Sequence, residues 1–273
     1  MTTKTVLITG TSSGIGLATA IAAAEGGWHV IATMRDTAKS AALSAAAEKA
    51  GVSVDVRALD VTDPASVAAC VAGLDGLDAL VNNAGAGHVG TLEQDSIDDV
   101  RAVMETNFFG VLNITKAALP LLRASSGRVL TVTSVGGIVG QPFNEAYCAA
   151  KFAVEGFMEA LAPVAASVGV SVGVIEPGAV ASEFVNNVGV DDTLLAKAGP
   201  YAPALTAYLG RTREAFANAQ HPDEVAAQIV EQLDATQPAF RTLTSDLARA
   251  FTGLKLSDTD GSAVQHLTAT WIA

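Results

Sequence analysis

Residues Thr9 to Gly16 read Thr-Gly-Thr-Ser-Ser-Gly-Ile-Gly, and this stretch decides the fold. It follows a short apolar run, Val6 to Ile8, and precedes an alanine-rich stretch of helical character. Gly10 permits a tight turn, Gly14 lets the backbone approach a pyrophosphate, and Gly16 allows close packing of a strand and a helix. The start of that helix would offer unpaired N–H groups to the phosphates. The stretch therefore predicts a dinucleotide-binding turn, although a glycine cluster alone is also compatible with a purely structural turn.

Short apolar runs alternate with longer alanine-rich runs as far as residue 175. The expected strands lie at 6–8, 29–33, 52–58, 79–81, 129–132 and 170–175, with a short further strand near Phe240. The expected helices lie at about 15–25, 37–50, 64–73, 96–122, 147–167 and 222–235. Such alternation predicts an α/β fold, a single doubly wound Rossmann domain with a mostly parallel seven-stranded sheet and helices on both faces. The third run has strict period two, which suits a strand at the sheet edge.

The regular alternation stops after Ile175. Residues 182–220 contain several turn-forming pairs, including Gly199-Pro200, and predict a long irregular substrate loop or lid. Residues 241–273 are expected to be a C-terminal extension. The whole chain, residues 1–273, is therefore interpreted as a single dinucleotide-binding and catalytic domain.

The composition excludes several classes of protein. Half of the 273 residues are apolar, enough to bury a sizeable core, so the chain is not disordered. The net charge of −12 argues against nucleic acid or an anionic membrane as partner. The uncharged stretch from Thr5 to Ala24 has the length of a membrane span, but glycines and serines break its middle. Two cysteines and four scattered histidines show no metal-ligand spacing, so no metal site and a reducing, cytoplasmic compartment are expected.

The end of the second expected strand, Ala32 to Arg35, favours one form of the dinucleotide. A carboxylate about twenty residues beyond the glycines commonly holds the ribose 2′-hydroxyl, and here that carboxylate is missing. Arg35 stands there instead, and a guanidinium pairs well with a 2′-phosphate. NADP(H) is therefore favoured over NAD(H). The alternative is a solvated surface arginine that Asp36 neutralises.

Tyr147 and Lys151 lie four residues apart in an expected helix, and therefore on one face. A free tyrosine has a pKa of about 10, and a nearby ammonium lowers it because it favours the phenolate. The tyrosine can then give a proton to a carbonyl oxygen or take one from an alcohol. Ser134 ends the fifth strand, where its hydroxyl can hold the substrate oxygen beside Tyr147. Taken alone, the Tyr–Lys pair is also compatible with an ordinary helix surface.

Four segments directly follow expected strands: the glycine turn, Asn82 to Gly85, Ser134, and Pro177-Gly178. In an open parallel sheet the carboxyl ends of the strands face one crevice, where ligands bind. The four segments therefore predict one ligand-binding site at this edge of the sheet.

The sequence resembles the short-chain dehydrogenase/reductase superfamily from about Lys4 to Ser182. Within it, the chain resembles most the 17β-hydroxysteroid dehydrogenase and retinol dehydrogenase branch. The segments that carry this closer resemblance are Ala32-Thr-Met-Arg-Asp36, Ser134-Val-Gly-Gly137 and Gln141-Pro-Phe-Asn-Glu-Ala-Tyr-Cys148. The resemblance implies a catalytic tetrad of Asn107, Ser134, Tyr147 and Lys151, in which the Asn107 backbone holds a water that relays protons to the lysine.

The resemblance also extends the cofactor site beyond the glycines and Arg35. It implies that Asp60-Val61 contacts the adenine, that residues 83–85 lie along the ribose, and that the loop from Pro177 to Ser182 holds the nicotinamide. The expected cofactor-binding residues are Gly10, Ser12, Ser13, Gly14, Ile15, Gly16, Arg35, Asp60, Val61, Asn83, Ala84, Gly85, Tyr147, Lys151, Pro177, Gly178, Val180 and Ser182.

The expected activity is NADP(H)-dependent interconversion of a ketone or aldehyde and an alcohol. Steroid-active relatives carry a histidine where this chain has Tyr208 to Arg211, which leaves a steroid, a retinoid, an acyl chain or another lipophilic ketone open. The residues expected to line a mostly apolar substrate pocket are Ser134, Val139, Phe143, Tyr147, Phe184 and Tyr208. The alternatives are a 3-oxoacyl reductase, an epimerase or a dehydratase on the same scaffold, and a nonenzymatic NADP-sensing regulator.

The helix that carries the Tyr–Lys pair has two further features. Lys151, Glu155 and Glu159 follow one another at four-residue steps and predict a polar stripe. The rest of the helix is apolar on more than one face, which predicts association into a homodimer or homotetramer, as related enzymes do through this helix. The alternative is that residues 241–273 cover the second apolar face.

Overall fold

The computed structural model describes residues 3–182 and 192–273. Within these residues, parallel strands form one seven-stranded sheet in the order β3-β2-β1-β4-β5-β6-β7. The strands are β1 Thr5–Thr9, β2 His29–Met34, β3 Asp55–Ala58, β4 Ala79–Asn82, β5 Arg128–Val132, β6 Ser171–Glu176 and β7 Arg241–Leu243. The predicted doubly wound fold is confirmed. As its period-two pattern predicts, β3 is an edge strand, and none of its residues is fully buried.

Helices cover both faces of the sheet. They are α1 Gly14–Glu25, α2 Ala41–Ala50, α3 Pro64–Ala72, α4 Ile97–Met104, α5 Gly110–Ser125, α6 Glu145–Ala166, α7 Asp192–Lys197, α8 Ala202–Ala217, α9 Pro222–Asp234, α10 Asp246–Ser257 and α11 Ser262–Ala269.

Two apolar cores, one on each side of the sheet, hold these layers together. Successive residues of β1 point to opposite faces, so Leu7 enters the core under α3, α5 and α6, whereas Ile8 enters the core under α1, α2 and α9. Met158 of α6 and Ile229 of α9 are fully buried in the first and second core respectively. Each such side chain stabilises the fold by about 1.5–3 kcal/mol.

The second half of the predicted irregular loop is helical. Gly199 and Pro200 form only a single 3₁₀ turn before α8, and Pro203 stands in the first turn of α8, where a missing N–H costs little. The sequence beyond Pro203 is rich in good helix formers and buries Leu205 and Tyr208. The prediction of an irregular segment is therefore wrong for residues 202–217. The candidate substrate residue Phe184 lies outside the described residues.

The C-terminal segment packs beside the sheet edge at which the active-site loops lie. Val264 of α11 contacts Ile138 and Val139, which follow β5. Phe152 and Phe157 on the outer face of α6 remain 40% and 41% exposed. Among the described residues, the C-terminal segment therefore leaves that face open, and the alternative in which it covers the face is wrong. Over the same residues, no helix combines the length and the apolar character that crossing a bilayer requires.

Candidate active site

The glycine turn after β1 has the backbone that only glycine adopts easily. Gly10 and Gly14 have φ of 72° and 57°, and a Cβ on Gly16 would lie 2.2 Å from the carbonyl oxygen of Gly10. The Asn83 side chain donates hydrogen bonds of 2.9 Å to the carbonyl oxygens of Thr9 and Gly10. The segment after β4 therefore fixes the shape of the turn, as the shared edge of the sheet predicts.

Thr9 also joins the glycine turn to the segment after β4, a role that the sequence did not predict. Its hydroxyl accepts hydrogen bonds of 2.9 Å from the backbone N–H groups of Asn83 and Ala84. A Cβ on Gly10 would lie 2.8 Å from the Cα of Ala84, so the two loops touch through their backbones. A threonine at the end of an apolar strand carries no signal of this role until its neighbour strand is known.

The start of α1 fits a pyrophosphate. In the described chain, Ser13 is the N-cap residue, yet its side chain makes no capping hydrogen bond and the first turn holds no acidic residue. The N–H groups of this turn therefore still need an acceptor, and the helix dipole favours an anion there. A cavity of about 260 Å³ opens beside the turn and is lined by Gly14, Leu17, Ala18, Ala181, Ser182, His221, Pro222 and Asp223. The residues present thus suit the phosphates of a dinucleotide, with Ser182 across from Gly14.

Arg35 lies exposed beyond the end of β2. Asp36 accepts a hydrogen bond of 3.0 Å from the backbone N–H of Ala38, and no ion pair joins it to Arg35 in the described part of the chain. Burial opposes ionisation of Asp60, but hydrogen bonds from Thr62 and the charge of Arg35 hold the pKa of this carboxyl below its usual range. Arg35 therefore lies near the expected adenine residue and keeps a charge that Asp36 does not neutralise.

Two residues expected to contact the cofactor have side chains buried in the apolar cores. Val61 is 6% exposed in the core under α5, and Val180 is 7% exposed in the core under α9. Either residue would meet a cofactor through its backbone. Pro177, which begins the expected nicotinamide loop, accepts a hydrogen bond of 2.9 Å from the N–H of Val135, so this loop lies against the turn that follows β5.

Ser134, Tyr147 and Lys151 come together as the sequence predicts. The Tyr147 hydroxyl is hydrogen-bonded to Ser134, whose Oγ accepts a 3.0 Å hydrogen bond from the Gly136 N–H. The Lys151 Nζ lies 5.8 Å from the centre of the Tyr147 ring and donates a 3.0 Å hydrogen bond to the Val132 carbonyl oxygen. A Cβ on Gly136 would lie 3.4 Å from both Ser134 Oγ and Tyr147 Cε1. A glycine at 136 therefore lets the serine and tyrosine approach.

Asn107 lies in a π-helical turn, Glu105–Phe109, that separates α4 from α5. Its fully buried side chain donates to the carbonyl oxygens of Ala86 and Val103 at 2.9 and 3.0 Å and accepts from the Ala86 N–H at 3.1 Å. A Cβ on Gly85 would lie 2.8 Å from Asn107 Oδ1 and 3.8 Å from Lys151 Nζ. Asn107 thus reaches the same loop as the lysine, and π-helical turns of this kind are frequent at functional sites.

Burial dominates the ionisation of the tyrosine and the lysine. It raises the pKa of Tyr147, although the hydrogen bond from Ser134 opposes the rise. It also lowers the pKa of Lys151 to about 8, against the charge of Glu155. The expectation that the lysine lowers the pKa of Tyr147 is therefore wrong for the protein alone. The reason is that burial penalises the phenolate more than the hydrogen bond from Ser134 favours it.

The expected substrate residues fall into two groups. Phe143 and Tyr208 pack with ring centres 5.7 Å apart, and Asn144 Nδ2 donates a 2.5 Å hydrogen bond to the Tyr208 hydroxyl. Phe143 has φ of 57°, a costly conformation for a bulky residue and one that clusters at functional sites. Val139, in contrast, is fully buried against Val264 in the protein interior, so its predicted place on the pocket wall is wrong.

The polar stripe predicted along α6 is also wrong in part. Lys151 and Glu155 are each only 5% exposed, whereas Glu159 is exposed. Four-residue spacing identifies a shared helix face but does not reveal what packs against it.

Comparison with known proteins identifies the family. A family model described as short chain dehydrogenase matches residues 4–193. The chain belongs to the short-chain dehydrogenases. This short-chain dehydrogenase is 38% identical over 270 residues to human "Retinol dehydrogenase 8", covering 95% of this chain and 87% of that protein. It is also 38% identical over 274 residues to human "17-beta-hydroxysteroid dehydrogenase type 1", covering 96% and 84% of the two chains. The predicted superfamily and branch are confirmed.

Solved structures agree with this assignment. A short-chain dehydrogenase from Streptomyces avermitilis superposes with a TM-score of 0.76 at 29% identity, covering 99% of this chain and 96% of that one. A variant of actinorhodin polyketide ketoreductase, solved with NADPH, gives a TM-score of 0.73 at 27% identity, with coverage of 88% and 95%. The short-chain dehydrogenase described here is therefore an oxidoreductase of the hydroxysteroid and retinol branch that acts on CH–OH or carbonyl groups with a nicotinamide cofactor.

Proposed function

We propose that this short-chain dehydrogenase is an NADP(H)-dependent carbonyl reductase and alcohol dehydrogenase acting on a lipophilic substrate. The observation that carries the proposal is the convergence of Ser134, Tyr147 and Lys151 at the sheet edge that also bears the glycine turn. That arrangement supports a role for Tyr147 as proton donor to a carbonyl bound beside a nicotinamide ring.

Each residue of this group has a distinct role in the proposal. Ser134 holds the substrate oxygen, and Tyr147 gives it a proton in reduction or takes one from an alcohol in oxidation. Lys151 supplies positive charge below the phenol and holds the nicotinamide ribose, and Asn107 supports proton relay to the lysine. The bound nicotinamide supplies or accepts the hydride. Because burial raises the pKa of Tyr147, the phenol keeps its proton at neutral pH and is ready to act as an acid in reduction.

NADP(H) is the proposed form of the cofactor because the exposed Arg35 offers an unneutralised guanidinium beyond β2. The NADPH bound to the related ketoreductase supports the same choice. Residues 1–273 are proposed to form one domain, and the free thiols of Cys70 and Cys148 support a reducing, cytoplasmic compartment.

The substrate is proposed to be lipophilic because apolar side chains cluster around Phe143, four residues before Tyr147. Phe143, Leu205, Tyr208 and Trp271 form this cluster together with residues of α7 and α8. Relatives named for retinol and for a 17β-hydroxysteroid support a bulky apolar molecule. The likeness to a polyketide ketoreductase favours a 3-oxoacyl chain as the second candidate.

A panel of carbonyl substrates tests the proposed activity. NADPH oxidation would be followed by absorbance with a retinoid aldehyde, a 17-oxosteroid, a 3-oxoacyl thioester and a long-chain ketone, and the alcohol product quantified. We expect stoichiometric oxidation with at least one of the four. Tight NADPH binding without turnover on any of them would instead favour the nonenzymatic sensing role, and reduction of the thioester alone would favour the 3-oxoacyl reductase.

A dimer or tetramer is proposed on the outer face of α6 and the π-helical turn. Phe109, Phe152 and Phe157 are between 40% and 46% exposed there, a large apolar area for a monomer surface. Sedimentation velocity at micromolar concentration should show an oligomer that Phe157→Glu dissociates. Leu256→Glu, at a 69% exposed leucine of α10, is the matched control and should leave the oligomer intact. A monomeric wild-type protein would contradict the proposal.

A further inference from the structure

Two glutamates are buried directly behind the candidate active site. Glu155 lies one turn after Lys151 on α6 and is 5% exposed, and Glu176 ends β6 with no exposure. A buried carboxylate is costly unless charges or hydrogen bonds compensate it, and the proposed reaction uses neither of these residues. The residues around the two glutamates must therefore supply the compensating charges or hydrogen bonds.

The hydrogen bonds around the pair indicate one proton more than two carboxylates allow. The Thr133 hydroxyl carries one hydrogen but lies against two acceptors, Glu155 Oε1 and the Ile175 carbonyl oxygen at 3.1 Å. An ionised glutamate can only accept hydrogen bonds. In the described chain, however, neither carboxyl oxygen of Glu176 accepts an aligned one. One proton held between the two carboxyls gives Glu176 the hydrogen bond that it otherwise lacks. The Thr133 hydroxyl then donates to Glu155 Oε1, while the Ile175 carbonyl oxygen still accepts the Thr133 N–H at 2.8 Å.

A single arginine lies against both buried carboxyls. Arg241 of β7 lies 3.0 Å from Glu176 Oε1 and 3.4 Å from Glu155 Oε2. Burial, together with the charge of Glu155, raises the pKa of Glu176 to about 8, and burial raises the pKa of Glu155 as well. The titratable or polar groups that face Glu155 are Lys151, Thr133, Glu176 and Arg241, and the exposed Glu159 lies 3.8 Å from the same Arg241 nitrogen as Glu155.

One turn connects this pair to the catalytic group. A Cβ on Gly137 would lie 2.9 Å from Glu155 Cγ and 3.2 Å from the Lys151 carbonyl oxygen, whereas the preceding Gly136 packs against Tyr147. The two glycines after Ser134 therefore seat the tyrosine and the glutamate against the same loop. A substitution at Glu155 can therefore change the environment of Lys151 even though Glu155 does not contact the substrate.

We propose that Glu155 and Glu176 share one proton and that the charge of Glu155 keeps Lys151 positively charged, which sets the upper pH limit of catalysis. Both are positioning residues that act through the lysine. The inference rests on the proposed role of Lys151. Burial favours the neutral amine, and the negative charge of Glu155 opposes this, so loss of that charge should let Lys151 deprotonate at lower pH.

The shared proton can be measured without turnover. Infrared difference spectra of the full-length protein, titrated between about pH 6 and pH 10, should show the C=O stretch of a protonated carboxylic acid that disappears with a midpoint near the alkaline side of neutrality. Glu155→Gln and Glu176→Gln should each abolish the band, because the remaining carboxyl beside Arg241 ionises. Glu159→Gln, the exposed control, should keep it. Absence of the band from the wild-type protein, or its survival in both variants, would overturn the inference.

The pH profile of kcat/KM then tests the effect on Lys151. Glu155→Gln should move the alkaline limb on the order of one pH unit lower. Glu176→Gln, which leaves an ionised Glu155, should not move it lower, and Glu159→Gln should match the wild type. Identical profiles for Glu155→Gln and wild type would overturn the inference while leaving the proposed activity in place. A wild-type protein inactive on every substrate would refute the proposed activity, whereas the infrared band still decides the shared proton.

Discussion

Replacing Tyr147 with phenylalanine should lower turnover about 10²- to 10⁴-fold, the range that a positioned general acid contributes. The change removes only the hydroxyl that bonds to Ser134 and leaves the ring beside Gly136. The glycine turn and the start of α1 are untouched, so NADPH binding should remain within a few-fold of wild type. Single-turnover kinetics with a reactive ketone and fluorescence titration of NADPH measure the two effects separately.

Tyr201→Phe is the matched control for this substitution. Tyr201 packs against the apolar cluster, but its hydroxyl donates a 2.6 Å hydrogen bond to Glu93, so losing the hydroxyl alone should leave the proton-transfer step unchanged. Full activity of Tyr147→Phe would remove the proposed proton donor. A parallel loss in both variants would indicate that the assay reports stability instead of chemistry.

The layers of the fold could be predicted because each rests on a local signal. The glycine turn between Ile8 and α1 marks the passage from a strand to a helix, and the period-two pattern of residues 52–58 identifies an edge strand. The helix at 202–217 escaped prediction because Gly199-Pro200 and scattered aromatic residues resemble a loop. The helix depends on tertiary contacts, since Tyr208 and Leu205 become its buried face only when Phe143 lies opposite.

Some residues of the candidate site could likewise be predicted from local signals, and others could not. Ser134 and Tyr147 could be placed together from strand ends and helix spacing alone, since both rules are local. Asn107 came only from the resemblance, because a π-helical turn leaves no periodic signal inside a helical stretch. The burial of Glu155 depends on Arg241, which a strand of three residues brings across from the other end of the sequence. No spacing rule links residues 155 and 241.

The direction of the Tyr147 pKa shift illustrates the limit of pairwise reasoning. One ammonium beside one phenol predicts a lower pKa for Tyr147, whereas the folded protein buries both groups. Desolvation then acts on the phenolate and on the ammonium together, raising one pKa and lowering the other. The two pKa values therefore move apart, because burial favours the neutral form of each group.

Exchanging Arg35 for aspartate should reverse the cofactor preference. The guanidinium is proposed to pair with the 2′-phosphate of NADP(H), and a charge-assisted hydrogen bond contributes about 1.5–3 kcal/mol. A carboxylate at this place repels the phosphate and can accept a hydrogen bond from the 2′-hydroxyl of NAD(H). The ratio of kcat/KM for NADPH to that for NADH should therefore fall by about 10²-fold or more, since both terms act in one direction.

Lys39→Asp separates this pairing from the general field of the surface. Lys39 ends the 3₁₀ turn that Asp36 caps, so its exchange alters charge by the same amount a few residues from Arg35. A long-range field would lower NADPH use in both variants, and the effect would fade with added salt because exposed charges are screened over about 10 Å at 0.1 M. Direct pairing instead confines the reversal to Arg35→Asp and leaves the Lys39→Asp ratio close to wild type. An unchanged ratio in Arg35→Asp would mean that the 2′-phosphate is recognised elsewhere, and the proposed preference for NADP(H) would lose its structural basis.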